Sequence, residues 1–147
     1  EHDDSLKKSG LLDYKNVKYF GKKPYESLAG YVHFWDVCII PFLINDITKA
    51  TSPVKLFEYM ASGKPIISTV HMGYSLINKY QCGIELDDDT AESLANAIIE
   101  FHDMDKDQYI EIGTNGKKGA KDFDFGVLTD KLLTVIEQVT KYKEKIL

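Results

Sequence analysis

An α/β fold, with a parallel sheet layered between helices, is what this sequence predicts, and two observations carry it. Short runs rich in β-branched and aromatic residues alternate along the chain with segments whose apolar residues recur at helical spacing. One of those runs, DVCIIPF at 36–42, is continuously apolar, as a strand is when both of its faces are covered. Strands that alternate with helices argue for crossover connections and a parallel sheet. With 147 residues and 44% hydrophobic content, residues 1–147 are long enough to bury the core of one domain.

Taken in order, NVKYF at 16–20 reads as a first strand closed by Gly21, and 36–42 as the second. KPIIST at 64–69 and GIEL at 83–86 read as two more. Between the first pair, residues 24–34 open on Pro24 and set Leu28, Tyr31 and Val32 at helical spacing. Residues 53–62 form the next helix and 74–80 a short one. Asp89 followed by Glu92 is a start signal for a helix to about residue 103, with Leu94, Ala97 and Ile98 on one face. Residues 106–123 read as a weaker helix, because Gly113 and Gly116 each cost up to ~1 kcal/mol against alanine. A last helix over about 125–146 carries Leu128, Leu132, Val135, Ile136 and Val139 as its apolar stripe. No internal repeat or low-complexity linker interrupts the pattern.

Charge and cysteine usage exclude several classes of function. The chain sets 18 lysines against 23 acids for a formal charge of −5, and contains no arginine. It therefore lacks the bidentate fork that reads guanine or grips a phosphate backbone, and no basic stripe compensates, which argues against nucleic-acid binding. Cys38 and Cys82 lie at no metal-ligand spacing and read as buried reduced thiols, pointing to a cytoplasmic address. No apolar run reaches the ~18 residues of a membrane span, and no signal peptide is apparent. A start at Glu1 rather than Met suggests a fragment.

The stretch richest in chemistry is ATSPVKLFEYMASGKPIIST, residues 50–69. Ser52 suits an N-cap and Pro53 the first helical position, where the N–H that proline lacks would be orphaned anyway. Gly63 suits the left-handed position after the helix, and Pro65 cannot continue the turn. Val54, Leu56, Phe57, Met60 and Ala61 cover most of the circumference, whereas Lys55, Glu58 and Ser62 line one polar strip. Lys55 lies in the first turn, where the helix dipole disfavours a cation unless an anion is bound there. A helix start that follows a strand and loop at the carboxyl edge of a parallel sheet is a ready phosphate site. Glu58, deeper on the strip, is too far along to cap that end and suits the paired hydroxyls of a diol such as ribose. Spacing alone equally allows Lys55 and Glu58 to form a surface ion pair worth roughly a few tenths of a kcal/mol.

NVKYFG, FWDVCIIPF, SPVKLFEYMASGKPIIST and CGIELDDDTAESLANAI, in that order over roughly residues 16–140, resemble the carboxy-terminal, donor-binding domain of GT-B fold glycosyltransferases of the group 1, retaining type. KLFEYMASGKP is the most specific block. The resemblance implies a Rossmann-like three-layer parallel sheet flanked by helices, present here as a partial domain. It implies transfer of a sugar from a nucleoside diphosphate donor, such as a UDP- or GDP-sugar, to a glycan or lipid-linked acceptor in polysaccharide biosynthesis. Glu58 would bind the ribose hydroxyls, and the segment holding Thr51, Ser52 and Val54 would offer backbone N–H groups to the diphosphate. Lys55 would be an auxiliary phosphate or ion-pair partner. No cofactor or obligatory metal is implied, because helix dipole and cations stabilise the leaving diphosphate. A hexosyltransferase in the cytoplasm, peripheral to the inner face of the membrane, is the type expected.

The sequence departs from that pattern in two places. Many relatives carry a second glutamate eight residues before the ribose-binding one, where it contacts the transferred sugar; here that position is Ala50, and Asp46 is a candidate substitute. Complete domains begin with two further strands, central in the strand order 3-2-1-4-5-6, and the loop and helix after the first bring an arginine and a lysine to the diphosphate. A two-strand gap should then separate NVKYF from DVCIIPF, and open sheet edges should invite self-association. The chain alone is expected to be inactive, without the amino-terminal domain that supplies the acceptor site. Its segment from about 125 to 147 corresponds to the helix that crosses back to that domain.

Other residues carry plainer readings. His71 follows the IIST strand and either touches donor or acceptor or is a simple loop histidine. His33 and Trp35 read as packing. Asp87–Asp89 read as a loop with a helix cap, since adjacent carboxylates do not converge on one ion. No G-x-S-x-G elbow or G-x-x-x-x-G-K-[ST] loop is present. Three readings remain: the donor-binding part of a glycosyltransferase, a nucleotide-sugar epimerase of related fold, or a non-catalytic nucleotide-binding or scaffold module.

Overall fold

In the computed structural model, which describes residues 6–144, the chain divides into two compact units, Glu1–Tyr31 and Val32–Leu147. The first contains a 3-10 turn at Leu11–Asp13 and the opening of helix α1 (Tyr25–His33). Residues 17–24 between them have no regular structure, so the strand expected at 16–20 does not form. A strand exists only through hydrogen bonds to a neighbour, and the sheet among the described residues takes no strand from this unit. The Phe20 ring packs instead 5.6 Å from that of Tyr31.

The second unit is built on a three-stranded parallel sheet of β1 (Cys38–Ile40), β2 (Ile66–Ser68) and β3 (Gly83–Glu85), in that spatial order. Cys38 stands opposite Ile66, and Ile66 opposite Gly83. The apolar run at 36–42 gives a shorter strand than expected. Pro41 has no N–H for a ladder, and the Phe42 amide turns back onto the Ile40 carbonyl at 3.1 Å.

Helices fill the connections. A short helix not foreseen from sequence, α2 (Asp46–Lys49), follows β1 and starts in a capping box between Asn45 and Thr48. Then come α3 (Val54–Ala61) before β2, α4 (Leu76–Tyr80) before β3, and α5 (Ala91–Asp103), α6 (Lys106–Ala120) and α7 (Phe125–Glu144) after it. The expected end of the last helix at residue 146 lies outside the described residues. Among the described residues no helix is long and apolar enough to cross a membrane.

Strand alternation sorts the core onto the two faces of the sheet. Ile40 and Ile66 join Leu56 and Met60 of α3, Leu76 and Ile77 of α4, and Cys82 in one cluster, while Ile67 meets Ala97 and Phe101 of α5 in the other. Both cysteines are free and buried. Burial pushes the Cys38 thiol up to about 12 and the Cys82 thiol up to about 11.

The glycines that made α6 look weak are its contact face. Gly113, Gly116 and Gly119 are all buried. A Cβ on Gly113 would run into the Gly63 carbonyl, one on Gly116 would lie 3.2 Å from the Cys82 Cβ, and one on Gly119 would strike the Tyr80 ring. The helix backbone therefore lies directly on the end of α3 and the turn into β3.

Candidate functional site at the carboxyl edge of the sheet

Parallel strands present all their carboxyl ends at one edge, and here the loops beyond them are bonded to one another. The Ile44 amide after β1 donates to Asp89 Oδ2 after β3 at 2.8 Å. Thr69 Oγ1, just past β2, donates to the Phe42 carbonyl at 2.5 Å, and the Gly73 amide to the Lys49 carbonyl at 2.8 Å. Helix α3 begins at this edge.

The start of α3 differs by one residue from the sequence reading. Pro53, not Ser52, holds the N-cap position, at φ −72° and ψ 133°, and no side chain caps it. Its extended ψ keeps it outside the helix, so Val54 is the first helical residue. Ser52 is exposed, and the Thr51 hydroxyl donates to the Ile47 carbonyl at 2.7 Å. Val54 is exposed, while Lys55 and Glu58 are half-buried. The Lys55 ammonium lies 4.8 Å over the Phe42 ring, a cation–π contact that holds it beside the loop after β1. Burial, then Cys38 and then the Glu58 charge raise the hydroxyl of neighbouring Tyr59 above its ordinary range. Gly63, at φ 68°, closes the helix in the left-handed position expected of it. Ala50 caps the end of α2 and Asp46 opens it, both exposed.

A second polar group at this edge escaped the sequence reading. Glu85, the last residue of β3, has a fully buried side chain. Its Oε2 accepts hydrogen bonds from Ser75 Oγ and from Asn78 Nδ2, the latter at 2.7 Å, and lies 3.6 Å from His71 Nδ1. Its Oε1 has no hydrogen-bond partner among the described residues. The other ring nitrogen of His71, Nε2, is 3.0 Å from Asp87 Oδ1. His71, in the loop after β2, thus lies between two carboxyl groups, and the signal for Glu85 was present: a glutamate inside an otherwise apolar strand.

The three adjacent acids part company. Asp87 faces His71, Asp88 accepts from the Thr90 and Ser93 hydroxyls, and Asp89 takes the Ile44 amide. The bonds from the Thr90 side chain, then its backbone, then Ser93 hold the Asp88 carboxyl below its ordinary range. The N-cap of α5 is Thr90, whose Oγ1 accepts from the Ser93 amide, and not Asp89, which is spent on the loop after β1.

Away from this edge, a cavity of about 630 Å³ lies between the entrance to β1 and α5, lined by Trp35, Val37, Ile39, Phe101 and Tyr109 among others. It contains no residue singled out for binding. Trp35 stacks edge-on with Tyr59 at 6.4 Å, the packing role expected, and His33 is exposed with its carbonyl accepting from Lys64 Nζ at 2.8 Å.

Comparison with known proteins gives a consistent result. Residues 1–103 match the family described as glycosyl transferases group 1. The chain is 29% identical over 122 residues to WcaL of Salmonella typhimurium, a glycosyltransferase assigned to colanic acid biosynthesis; the match covers 81% of the chain and 30% of that protein. It is 34% identical over 59 residues to TuaH of Bacillus subtilis, assigned as a glycosyltransferase to teichuronic acid biosynthesis, covering 40% of the chain and 15% of that protein. Sucrose-phosphate synthase from Thermosynechococcus elongatus superposes with a TM-score of 0.73 at 22% identity, covering 96% of the chain and 34% of that structure. That likeness is one of fold, and it agrees with a Rossmann-like α/β layer structure as part of a GT-B domain. The chain therefore spans about a third or less of the length of these proteins. Because the family match takes in most of its residues, the chain belongs to the group 1 glycosyl transferases.

Proposed function

We propose that the chain binds the donor in a hexosyltransferase that moves a sugar from a nucleoside diphosphate to a glycan or lipid-linked acceptor, working in the cytoplasm or at the inner face of a membrane. Polysaccharide synthesis is the setting, as the names of WcaL and TuaH say of those proteins. The observation that supports the reading best is Glu58: a half-buried carboxylate on α3, one turn past a helix start that no side chain caps. Backbone N–H groups of the Thr51–Val54 segment and the Lys55 ammonium take the diphosphate, and Glu58 accepts the ribose hydroxyls. No cofactor takes part; the dipole of α3 and the nearby cations carry the charge of the leaving group.

Titration with UDP, GDP and their sugars by calorimetry tests this. One nucleotide series binds, and Glu58→Ala weakens it ~10- to 100-fold, the loss of ~1.5–3 kcal/mol of charge-assisted hydrogen bonding. Equal affinity in wild type and Glu58→Ala would refute the ribose assignment.

A further inference from the structure

We infer that His71 contacts a phosphate of the donor, with its ring set by the buried Glu85 and its outer nitrogen held by Asp87 until a nucleotide takes that place. The inference rests on the donor-binding reading above and adds a residue to it.

Position comes first. Ser68 of β2 stands opposite Glu85 of β3, and alternation puts both on the sheet face that Ile66 shares, the face covered by α3 and α4. The loop carrying His71 packs on that same face. Val70 and Met72 on either side of it lie in one cluster with Leu56 and Met60 of α3, and Gly73 is bonded to Lys49 just ahead of the start of α3. His71 therefore shares both an edge and a face of the sheet with the helix start assigned to the diphosphate.

Glu85 is difficult to explain as packing. Its donors Ser75 and Asn78 both serve Oε2, near which His71 Nδ1 also lies, and Oε1 is buried with no hydrogen-bond partner among the described residues. A carboxyl buried with one oxygen unbonded is costly, and an apolar residue would fill the space with a smaller penalty. What the carboxyl does accomplish is to set an acidic oxygen behind the imidazole, 3.6 Å from Nδ1, where it favours the ring orientation that turns Nε2 outward. Nδ1 faces inward at 3.6 Å from Oε2, which leaves Nε2 facing outward toward Asp87.

Asp87 shows what the outward nitrogen takes: an anionic oxygen, at 3.0 Å. The Asp87 side chain is 99% exposed and that of His71 47%, so their pairing is a surface contact that contributes little and gives way easily. A phosphate oxygen offers the same acceptor with more charge. The chain has no arginine, so the side-chain nitrogens it can bring to a diphosphate are chiefly those of lysine and histidine. Lys55 is one such group, and His71 Nε2 is a further nitrogen at the same edge of the sheet. Binding exchanges one oxygen partner of Nε2 for another, with no covalent step.

The test compares UDP with uridine, and GDP with guanosine, on the whole chain by calorimetry, with folding of each variant checked by circular dichroism. Glu58→Ala weakens nucleoside and nucleotide alike. His71→Ala weakens the nucleoside diphosphate about tenfold and leaves the nucleoside unchanged. Asp87→Asn, at a fully exposed position that folding does not need, tightens the diphosphate a few-fold because the competing carboxylate is gone. If His71→Ala binds the diphosphate as tightly as wild type, or Asp87→Asn weakens it, the inference fails while donor binding stands. If folded wild type binds neither UDP nor GDP, the donor reading fails and takes this inference with it.

Discussion

Replacing Gly113 by alanine sets two opposed effects against each other, and the structure decides the sign. In a helix interior the change should help, since glycine costs about 1 kcal/mol against alanine in backbone freedom. The new methyl, however, would meet the Gly63 carbonyl, with its carbon at 3.2 Å and its oxygen closer still. These are backbone atoms of the turn between α3 and β2, and they have no rotamer through which to escape. Relief must come from moving α6 bodily, which disturbs Gly116 against Cys82 and Gly119 against Tyr80 as well. Overpacking of this kind costs about 3 kcal/mol, so the net loss is about 2 kcal/mol. In a domain of this size that lowers Tm by roughly 4–8 °C. Thermal unfolding followed by circular dichroism measures it, with Thr114→Ala as the control: Thr114 is the exposed neighbour on the same helix, and its replacement should raise Tm slightly. If Gly113→Ala raises Tm as Thr114→Ala does, α6 does not rest on the turn after α3 and the account of its glycines is wrong.

Two further outcomes concern pH. Cys38 and Cys82 keep their protons in the folded chain up to about 12 and about 11, whereas an unfolded thiol loses its proton near 8.5. The unfolded state thus binds fewer protons above that point, and stability should fall as pH rises from about 8.5 toward 11–12; urea midpoints between pH 8 and 10.5 that stay level would contradict this. Tyr59 and Tyr109, whose hydroxyls burial raises, act in the same direction. Asp88 works the other way: its carboxyl is held down by Thr90 and Ser93, so its contribution is present above the usual carboxylate range and lost as pH falls through its lowered value. Asp88→Asn should accordingly lower Tm at pH 6 and converge on wild type in strong acid, and a constant difference between the two across that range would refute the assignment.

How much of this was legible in the sequence depended on whether a signal was local. The α3 helix, its glycine stop and the parallel β2 that follows were readable because each rests on neighbouring residues: apolar spacing, Gly63 and Pro65. The strand at 16–20 was misread because β-branched and aromatic character marks a capacity to pair, and pairing depends on a neighbour that residues far along the chain supply or withhold. The glycines of α6 were misread for the related reason that propensity scores a helix alone in water. Gly113, Gly116 and Gly119 fall three apart, on one face, and that regularity was the clue that a close neighbour was being accommodated. Ser52 lost its capping role to the ψ of Pro53, a backbone angle to which composition is blind.

The polar residues of the edge make the limit sharper. Asp87, Asp88 and Asp89 read in sequence as a loop with a helix cap, but the sequence does not say what each carboxylate reaches. They reach three separate structures: a histidine beyond β2, the first turn of α5, and an amide beyond β1. Only the second is local, and it is the one the capping rules came within a residue of finding. The first is formed because β2 and β3 run parallel in a register that sets Ser68 against Glu85, which brings Asp87, two residues past Glu85, within reach of the loop that follows Ser68. The pairing of His71 with Glu85 and Asp87 is therefore a consequence of sheet register. A one-residue slip of β3 would turn Glu85 to the α5 face, among Ile67, Ala97 and Phe101, and leave His71 with no inner partner.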